Sequence, residues 1–209
     1  MNKKIVIIGC GALSKETYHV VKKCNREFFG FLSFESDELS TFQYKDSVIC
    51  NIEKFSFNTD YEYLCIMGTP KIKHNVFTEI KDKHKVSFAS LVHPNANIDG
   101  NVSIGEGTVI TAGVSITDNV KIGENCYINL NSTIGHDTCI EESVVINPGC
   151  LISGKVEIGS CALIGTGACI KQDISIGSNT LIGMGSVQTK NAKANSVYFG
   201  NPSKFVKEI

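Results

Sequence analysis

An isoleucine recurs every six residues from Ile98 to Ile182 without a break, fifteen times in succession. Four residues after each stands a small or β-branched residue, from Val102, Thr108 and Val114 to Ser186. Glycine follows the isoleucine directly in seven of the repeats, among them Ile104-Gly105, Ile122-Gly123 and Ile164-Gly165. A fixed period this long specifies a solenoid, in which each short strand stacks on its equivalent one coil away. The isoleucine is expected to point inward, since a narrow coil has room for one branched aliphatic per face. The glycines and asparagines are expected at the corners, where positive φ is often required.

The first ninety residues follow another rule. Lys4 to Ile8 reads as a buried parallel strand. Gly9-Cys10-Gly11 follows, and Ser14-Lys15-Glu16 opens an amphipathic helix to about Lys23. Further strands are expected at Phe28 to Phe34, Tyr63 to Met67 and near Val86 to Leu91, with a helix from Ile72 to Lys83. This order predicts a small Rossmann-like α/β domain. The expected division is residues 1–92, a solenoid over 93–190 and a tail over 191–209. His93-Pro94 marks the junction, and that position favours a structural or surface role for His93.

The turn Gly9-x-Gly11-x-x-Ser14 is a partial dinucleotide fingerprint. A helix N-terminus there could hold a phosphate. Against NAD, Ser14 replaces the third glycine, and no ribose-binding carboxylate follows the second strand until Glu35. A purely structural βα turn and a phosphate-binding turn both remain open.

Composition removes several classes. A net charge of −1 with mixed signs gives neither a nucleic-acid surface nor a basic membrane face. Residues 1 to 30 contain no signal-peptide core, and no apolar run approaches transmembrane length. The nine cysteines are odd in number and form no CxxC pair, which points to reduced thiols in a cytoplasm rather than disulfides or zinc. Cys126, Cys150 and Cys161 read as packing or corner residues.

Of the five histidines, only His136 lies within the repeat. It stands two residues after Ile134, so it should sit at a corner and project outward. Chemistry on a solenoid must take place outside, because isoleucine fills the interior. A histidine followed by Asp137 is a reasonable general-base site, with the carboxylate orienting the ring if it reaches Nδ1.

Several segments together resemble the bacterial hexapeptide-repeat sugar acetyltransferases of the sialic-acid O-acetyltransferase and UDP-4-amino-sugar N-acetyltransferase group. They are Ile7 to Gly11, Gly30-Phe31-Leu32, Leu91 to Ala96, Asn129 to Asp137, and the closing Phe199 to Lys204. The resemblance spans nearly the whole chain. It implies a left-handed parallel β-helix of about five coils, three hexapeptides to a coil, standing about 24 Å tall at the usual strand spacing. It further implies a homotrimer with active sites between subunits, acetyl-CoA along the later coils, no metal, and a nucleotide-linked amino sugar on the N-terminal domain. Under that resemblance His136 is the general base and Asp137 its partner. Gly9, Cys10, Gly11, Leu13, Ser33 and Asn129 would meet the acceptor. Gly154, Gly165, Thr166, Met184 and Gly185 would follow the acetyl-CoA path, with the Gly154 N–H at the thioester oxygen. The group's product feeds glycan synthesis.

Four positions depart from the group. Val145 stands where many members carry a second histidine, Leu13 where many carry a histidine, and Ser33-Phe34 where many carry two aspartates. Leu13, Ser33 and Phe34 bear on the acceptor more than on acetyl transfer. Acceptor amine and acceptor hydroxyl both remain open. A covalent route through Cys139 is the less economical alternative. A metal-dependent carbonic anhydrase would need three histidines, and the repeat has one. A non-catalytic binding solenoid is the remaining class. Val109, Val145, Leu151 and Leu163 are expected to expose apolar walls for trimer contacts.

Overall fold

The computed structural model describes residues 3–34, 43–44 and 47–209. The repeat folds as its period demands. Every rung pairs in parallel with the rung eighteen residues away, as Tyr127 with Val145 and Ile134 with Ile152. Eighteen residues make one coil of three short strands. The rung isoleucines stack in a continuous core with Val114, Val120, Cys126, Val144 and Cys150. Only Ile98 and Ile104, at the open lower end, are partly exposed.

Three walls result. The first carries Leu91–Val92, Val109–Ile110, Tyr127–Ile128, Val145–Ile146, Leu163–Ile164 and Leu181–Ile182. The second runs from Asn97–Ile98 to Val187–Gln188, and the third from Val102–Ile104 to Ser175–Ile176. The antiparallel hairpin Ser196–Gly200 and Ser203–Glu208 extends the first wall and closes the upper end. Leu91–Val92 is already a rung, so the solenoid begins two residues before His93.

The corners show a division of labour that the sequence blurred. From Ile104 onward, positive φ falls three residues after each isoleucine, at Gly107, Gly113, Asn119, Asn125, Asn131, Asp137 and so on to Gly185. The glycine directly after the isoleucine is there for a different reason. A Cβ on Gly105 would lie 2.5 Å from backbone of the next coil, and Gly123 and Gly159 are equally confined. Those glycines set how closely coils stack.

Before the solenoid, β1 (Lys4–Ile8), β2 (Phe28–Ser33), β3 (Val48–Asn51) and β4 (Tyr61–Cys65) form a parallel sheet in the order β3-β2-β1-β4. Helices α1 (Ala12–Lys23) and α2 (Pro70–His84) lie on opposite faces. Ile5 and Ile7 pack with Val20 and Val21 of α1, and Val6 and Ile8 with Phe77 and Ile80 of α2. β3 was not foreseen. The strand expected near Val86 reduces to a single bridge between Tyr63 and Phe88. Glu35, the candidate ribose ligand, lies outside the described residues.

The two parts share one core. Val109, Tyr127 and Val145 of the first wall are fully buried with α1 and β1 side chains. This corrects the expected apolar walls: Val109 and Val145 lie under the α/β domain, Leu163 packs partly against it, and only Leu151 stays well exposed. The Thr17 hydroxyl donates to the Leu13 carbonyl at 2.7 Å and meets the Tyr127 hydroxyl at 3.3 Å. α2 docks along the corner between the third and first walls through one stripe. Lys73 Nζ donates to the backbone carbonyl and the Oδ1 of Asn125. Phe77 packs over Gly107, and Lys81 bridges Glu106 and Glu124 at 2.8 and 2.7 Å.

Lys73 is fully buried, and burial pushes its ammonium down to about 8. Burial pushes the neighbouring Cys65 and Cys126 thiols up, to about 12 and about 11. Between pH 8 and 9 the unfolded chain therefore holds a Lys73 proton that the folded chain has released. Stability should rise with pH across that window. Above the ordinary thiol value of 9.0, the raised cysteines act in the opposite direction. Denaturant melts at pH 7.5, 8.25 and 9 should show the rise in the parent. They should show none in Lys73→Met, which carries no titrating group at that position.

Candidate active site

His136 follows Ile134 in the middle coil, at the corner between the second and third walls. Its side chain is 54 % exposed, the outward projection expected of a corner position. Asp137 occupies the left-handed position of the same corner, with φ 59. That region suits Asp and Asn, whose short polar side chains bond locally. Here the local bond is functional in geometry: Asp137 Oδ2 stands 2.8 Å from His136 Nδ1. The other carboxylate oxygen accepts from Asn119 Nδ2 at 2.6 Å, one coil below. The His136 hydrogen bond, and after it the Asn119 hydrogen bond, hold the Asp137 carboxyl below its ordinary value. An ionised carboxylate can only accept, so Nδ1 carries the proton, and in the neutral ring Nε2 keeps its lone pair. The pair can thus take a proton at Nε2 and hold the resulting imidazolium.

Directly above lies Gly154. A Cβ there would sit 2.6 Å from His136 Nε2 and 2.7 Å from Cε1, so the ring lies against bare backbone. Gly135 lets the two coils approach closely here, since a Cβ on it would stand 2.5 Å from the Gly154 nitrogen. Among the described residues nothing accepts the Gly154 N–H. The exposed imidazole thus lies over a buried glycine whose N–H is unpaired.

The remaining expected residues fall elsewhere. Asn129 belongs to the turn before His136 but sits at the corner between the first and second walls. It is 3 % exposed, and its Oδ1 accepts the Leu130 N–H. Gly165, Thr166, Met184 and Gly185 line the upper part of that same corner, with Met184 73 % exposed. The second wall separates this corner from His136. Cys139 is exposed on the third wall, three residues on from His136. His93 is nearly buried, and its Nδ1 accepts the Asn95 N–H.

On the α/β domain, the strand order changes direction between β1 and β4, where ligands of open α/β sheets bind. Gly9 is required by the fold: its φ is +115, and a Cβ would meet the Ile66 carbonyl at 2.6 Å. Gly11 is not. It caps α1 with φ −80 and no side-chain hydrogen bond, and a Cβ would meet nothing within 4 Å. Gly68, on the facing turn, would meet only Leu13, at 3.8 Å. Ser14 is buried, with Oγ 3.5 Å from the Ile66 carbonyl. Cys10 and Ser33 are buried as well, so a ligand at this mouth meets their backbone rather than their side chains. A larger cleft of about 440 Å³ opens between α2 and the Ile52–Phe57 segment, away from both places. Among the described residues no disulfide joins any of the nine cysteines. Among the described residues no cluster could hold a metal ion, and no helix is long and apolar enough to cross a membrane.

Comparison with solved structures places this architecture. The chain is similar to the acetyltransferase domain of PglB from Neisseria gonorrhoeae, at TM-score 0.88 and 24 % identity over 98 % of this chain and all of that one. It is similar to WeeI from Acinetobacter baumannii, at TM-score 0.86 and 24 % identity over 98 % of this chain and all of that one. It is similar to PerB from Caulobacter crescentus, solved with CoA and GDP-perosamine, at TM-score 0.86 and 22 % identity over 98 % and 97 % of the two chains. The likeness establishes the fold: a Rossmann-like domain followed by a left-handed parallel β-helix. No protein-family model and no curated sequence matches the chain.

Gly154→Ala isolates the geometry of the pair. Gly154 needs no left-handed backbone, so the added methyl displaces the ring rather than the fold. Nitrogen NMR of the imidazole should show loss of the single Nδ1–H tautomer, with the melting temperature nearly unchanged. An unaltered tautomer would mean that the ring does not rest on Gly154.

Proposed function

We propose that the protein is an acetyl-CoA-dependent acetyltransferase acting on the amino group of a nucleotide-linked amino sugar. One observation carries this reading: the exposed His136–Asp137 pair presents a proton-accepting Nε2 against Gly154, a buried glycine whose N–H is unpaired among the described residues. Two of the similar proteins support the substrate pair, one solved with acetyl coenzyme A and the other with CoA and GDP-perosamine.

The roles follow from the atoms. The acceptor amine attacks the acetyl carbonyl carbon, forming the C–N bond. The Gly154 N–H faces the oxygen on which negative charge develops. His136 Nε2 removes the proton that the attacking nitrogen must lose, and Asp137 stabilises the imidazolium. The imidazolium then returns a proton to the departing CoA sulfur, so the products are the amide and the free thiol. Replacing His136 by Ala should lower kcat by about two to four orders of magnitude. Asp137→Asn should cost less, because it removes orientation rather than the accepting nitrogen. Both are measured by thiol release from acetyl-CoA with GDP-perosamine and UDP-linked 4-amino sugars as acceptors. Turnover of folded His136→Ala close to that of the parent overturns the base assignment.

The acceptor's phosphate belongs at the mouth of the α/β domain. Gly11 and Gly68 face each other there, and packing requires a side-chain-free residue at neither. An anion can then approach the backbone at the start of α1. Gly11→Val fits both the backbone and the space, so strain does not confuse the result. It should raise KM for the acceptor severalfold, leave KM for acetyl-CoA unchanged and leave melting unchanged. Equal weakening of both substrates would remove the acceptor from this turn.

The subunits form a closed trimer in this reading. The first wall and one corner are covered by the α/β domain; of the two walls left, the second, with exposed Leu151, is the contact. His136 lies at one edge of that wall and Thr166, Met184 and Gly185 at the other. A single acetyl-CoA meets both sets when His136 of one subunit faces the opposite edge of a neighbour. A second subunit also supplies the wall that a half-exposed imidazole needs to exclude water. Light scattering should give three times the 22.7 kDa chain mass. A fully active monomer contradicts the shared site.

A further inference from the structure

Asn119 lies one coil below Asp137, at the same left-handed corner position, with φ 56. It is eighteen residues away in sequence, and nothing in the local motif links it to His136. Its Nδ2 donates to Asp137 Oδ1 at 2.6 Å, while Oδ2 faces His136 Nδ1 at 2.8 Å. Each carboxylate oxygen thus has one partner, and the two together fix the plane of the group. Asn119 is itself anchored, since its backbone N–H donates to Asp118 Oδ1 at 2.9 Å. The same Asp118 oxygen accepts the Asn101 N–H, so the anchor reaches one coil further down.

The His136 ring has no hydrogen-bond partner but Asp137 among the described residues. The Asp137 side chain is itself 41 % exposed. A short carboxylate so open to water would rotate freely without a second contact. The direction of Nε2 therefore depends on Asp137, and the direction of Asp137 depends on Asn119. Another corner, between the third and first walls, carries a plain structural version of this contact. Asn179 Nδ2 reaches Asn195 Oδ1 at 2.9 Å near the upper end, and no imidazole is attached to it. At Asp137 the acceptor holds the candidate base as well.

We infer that Asn119 is a positioning residue, the first member of an Asn119–Asp137–His136 relay that fixes the imidazole's tautomer and direction. The inference rests on His136 as the general base of the proposed acetyl transfer.

Two substitutions test it without disturbing the corner, because glycine and aspartate both tolerate left-handed backbone. Asn119→Gly deletes only the amide. The relay then expects kcat to fall about tenfold, the worth of one charge-assisted hydrogen bond, with both KM values unchanged. Nitrogen NMR of the full-length protein, which needs no acceptor, should show the Nδ1–H form giving way to a mixture of tautomers. Asn119→Asp replaces the donor with a second carboxyl. The groups facing this pair are His136 and, one coil above, Lys155, with Asp118 beside Asn119 on the lower side. The carboxyls can hydrogen-bond only while they share a proton, so activity relative to the parent should fall as pH rises above the carboxylate range. A residue that merely supports the coil would change melting and move none of these readouts.

His136→Ala is run beside them with acetyl-CoA and GDP-perosamine or a UDP-linked 4-amino sugar. If that variant keeps its turnover, the base assignment has failed, and the tautomer measurement alone then decides the relay. If it is inactive while Asn119→Gly and Asn119→Asp match the parent in kcat, pH profile and tautomer, the relay is wrong and the base assignment stands.

Discussion

A left-handed backbone residue at every corner, six residues apart from Gly107 to Gly185, is the constraint on which the rest of this molecule hangs. It turns the chain sharply enough for eighteen residues to close a coil and bring each isoleucine over the last. Glycine and asparagine occupy most of these corners, as the sterics of positive φ favour. Asp137 is one of the exceptions, and so is Lys155 above it. The turn that fixes the coil thereby also fixes the carboxylate beside His136. The candidate base needs no loop or insertion to hold it, because it stands on the repeat's own geometry with Gly154 bare above it.

Docking of the α/β domain decides which surfaces remain for chemistry. α1 covers the first wall and α2 one corner, joined by buried contacts such as Tyr127 with Thr17 and Lys73 with Asn125. A buried ammonium held by neutral acceptors is costly, yet its removal would leave a backbone carbonyl unpaired. The seam fixes the Gly11–Gly68 mouth relative to the coils. It also leaves the second wall open with His136 at one edge. The proposed two-substrate transfer gains from such rigidity, since both substrates would be held at set distances from the reacting atoms.

Much of this was legible in the sequence because a repeat advertises its period. Ile98 to Ile182 specified the coils, and His136 stood out as the lone histidine among them. Contacts made across coils or across domains were hidden. Asn119 looked like any corner asparagine, since its partner lies eighteen residues on. Val109 and Val145 looked like exposed wall residues, because nothing in a six-residue unit records that a helix from another domain will cover it. The burial of Lys73 was hidden for the same reason. The glycines after the isoleucines suggested positive φ, whereas their role is close approach between coils. β3 escaped notice because four half-buried residues carry too little pattern to mark a strand.

The central claim is that acetyl transfer takes place at the His136 corner, with Gly154 as the oxyanion contact. A crystal structure of the protein with acetyl-CoA tests it most directly. The account expects the thioester carbonyl oxygen within hydrogen-bond distance of the Gly154 nitrogen, and open space for an amine between the carbonyl carbon and His136 Nε2. Acetyl-CoA bound with its thioester away from this corner, the His136–Asp137 pair left facing water, would contradict it.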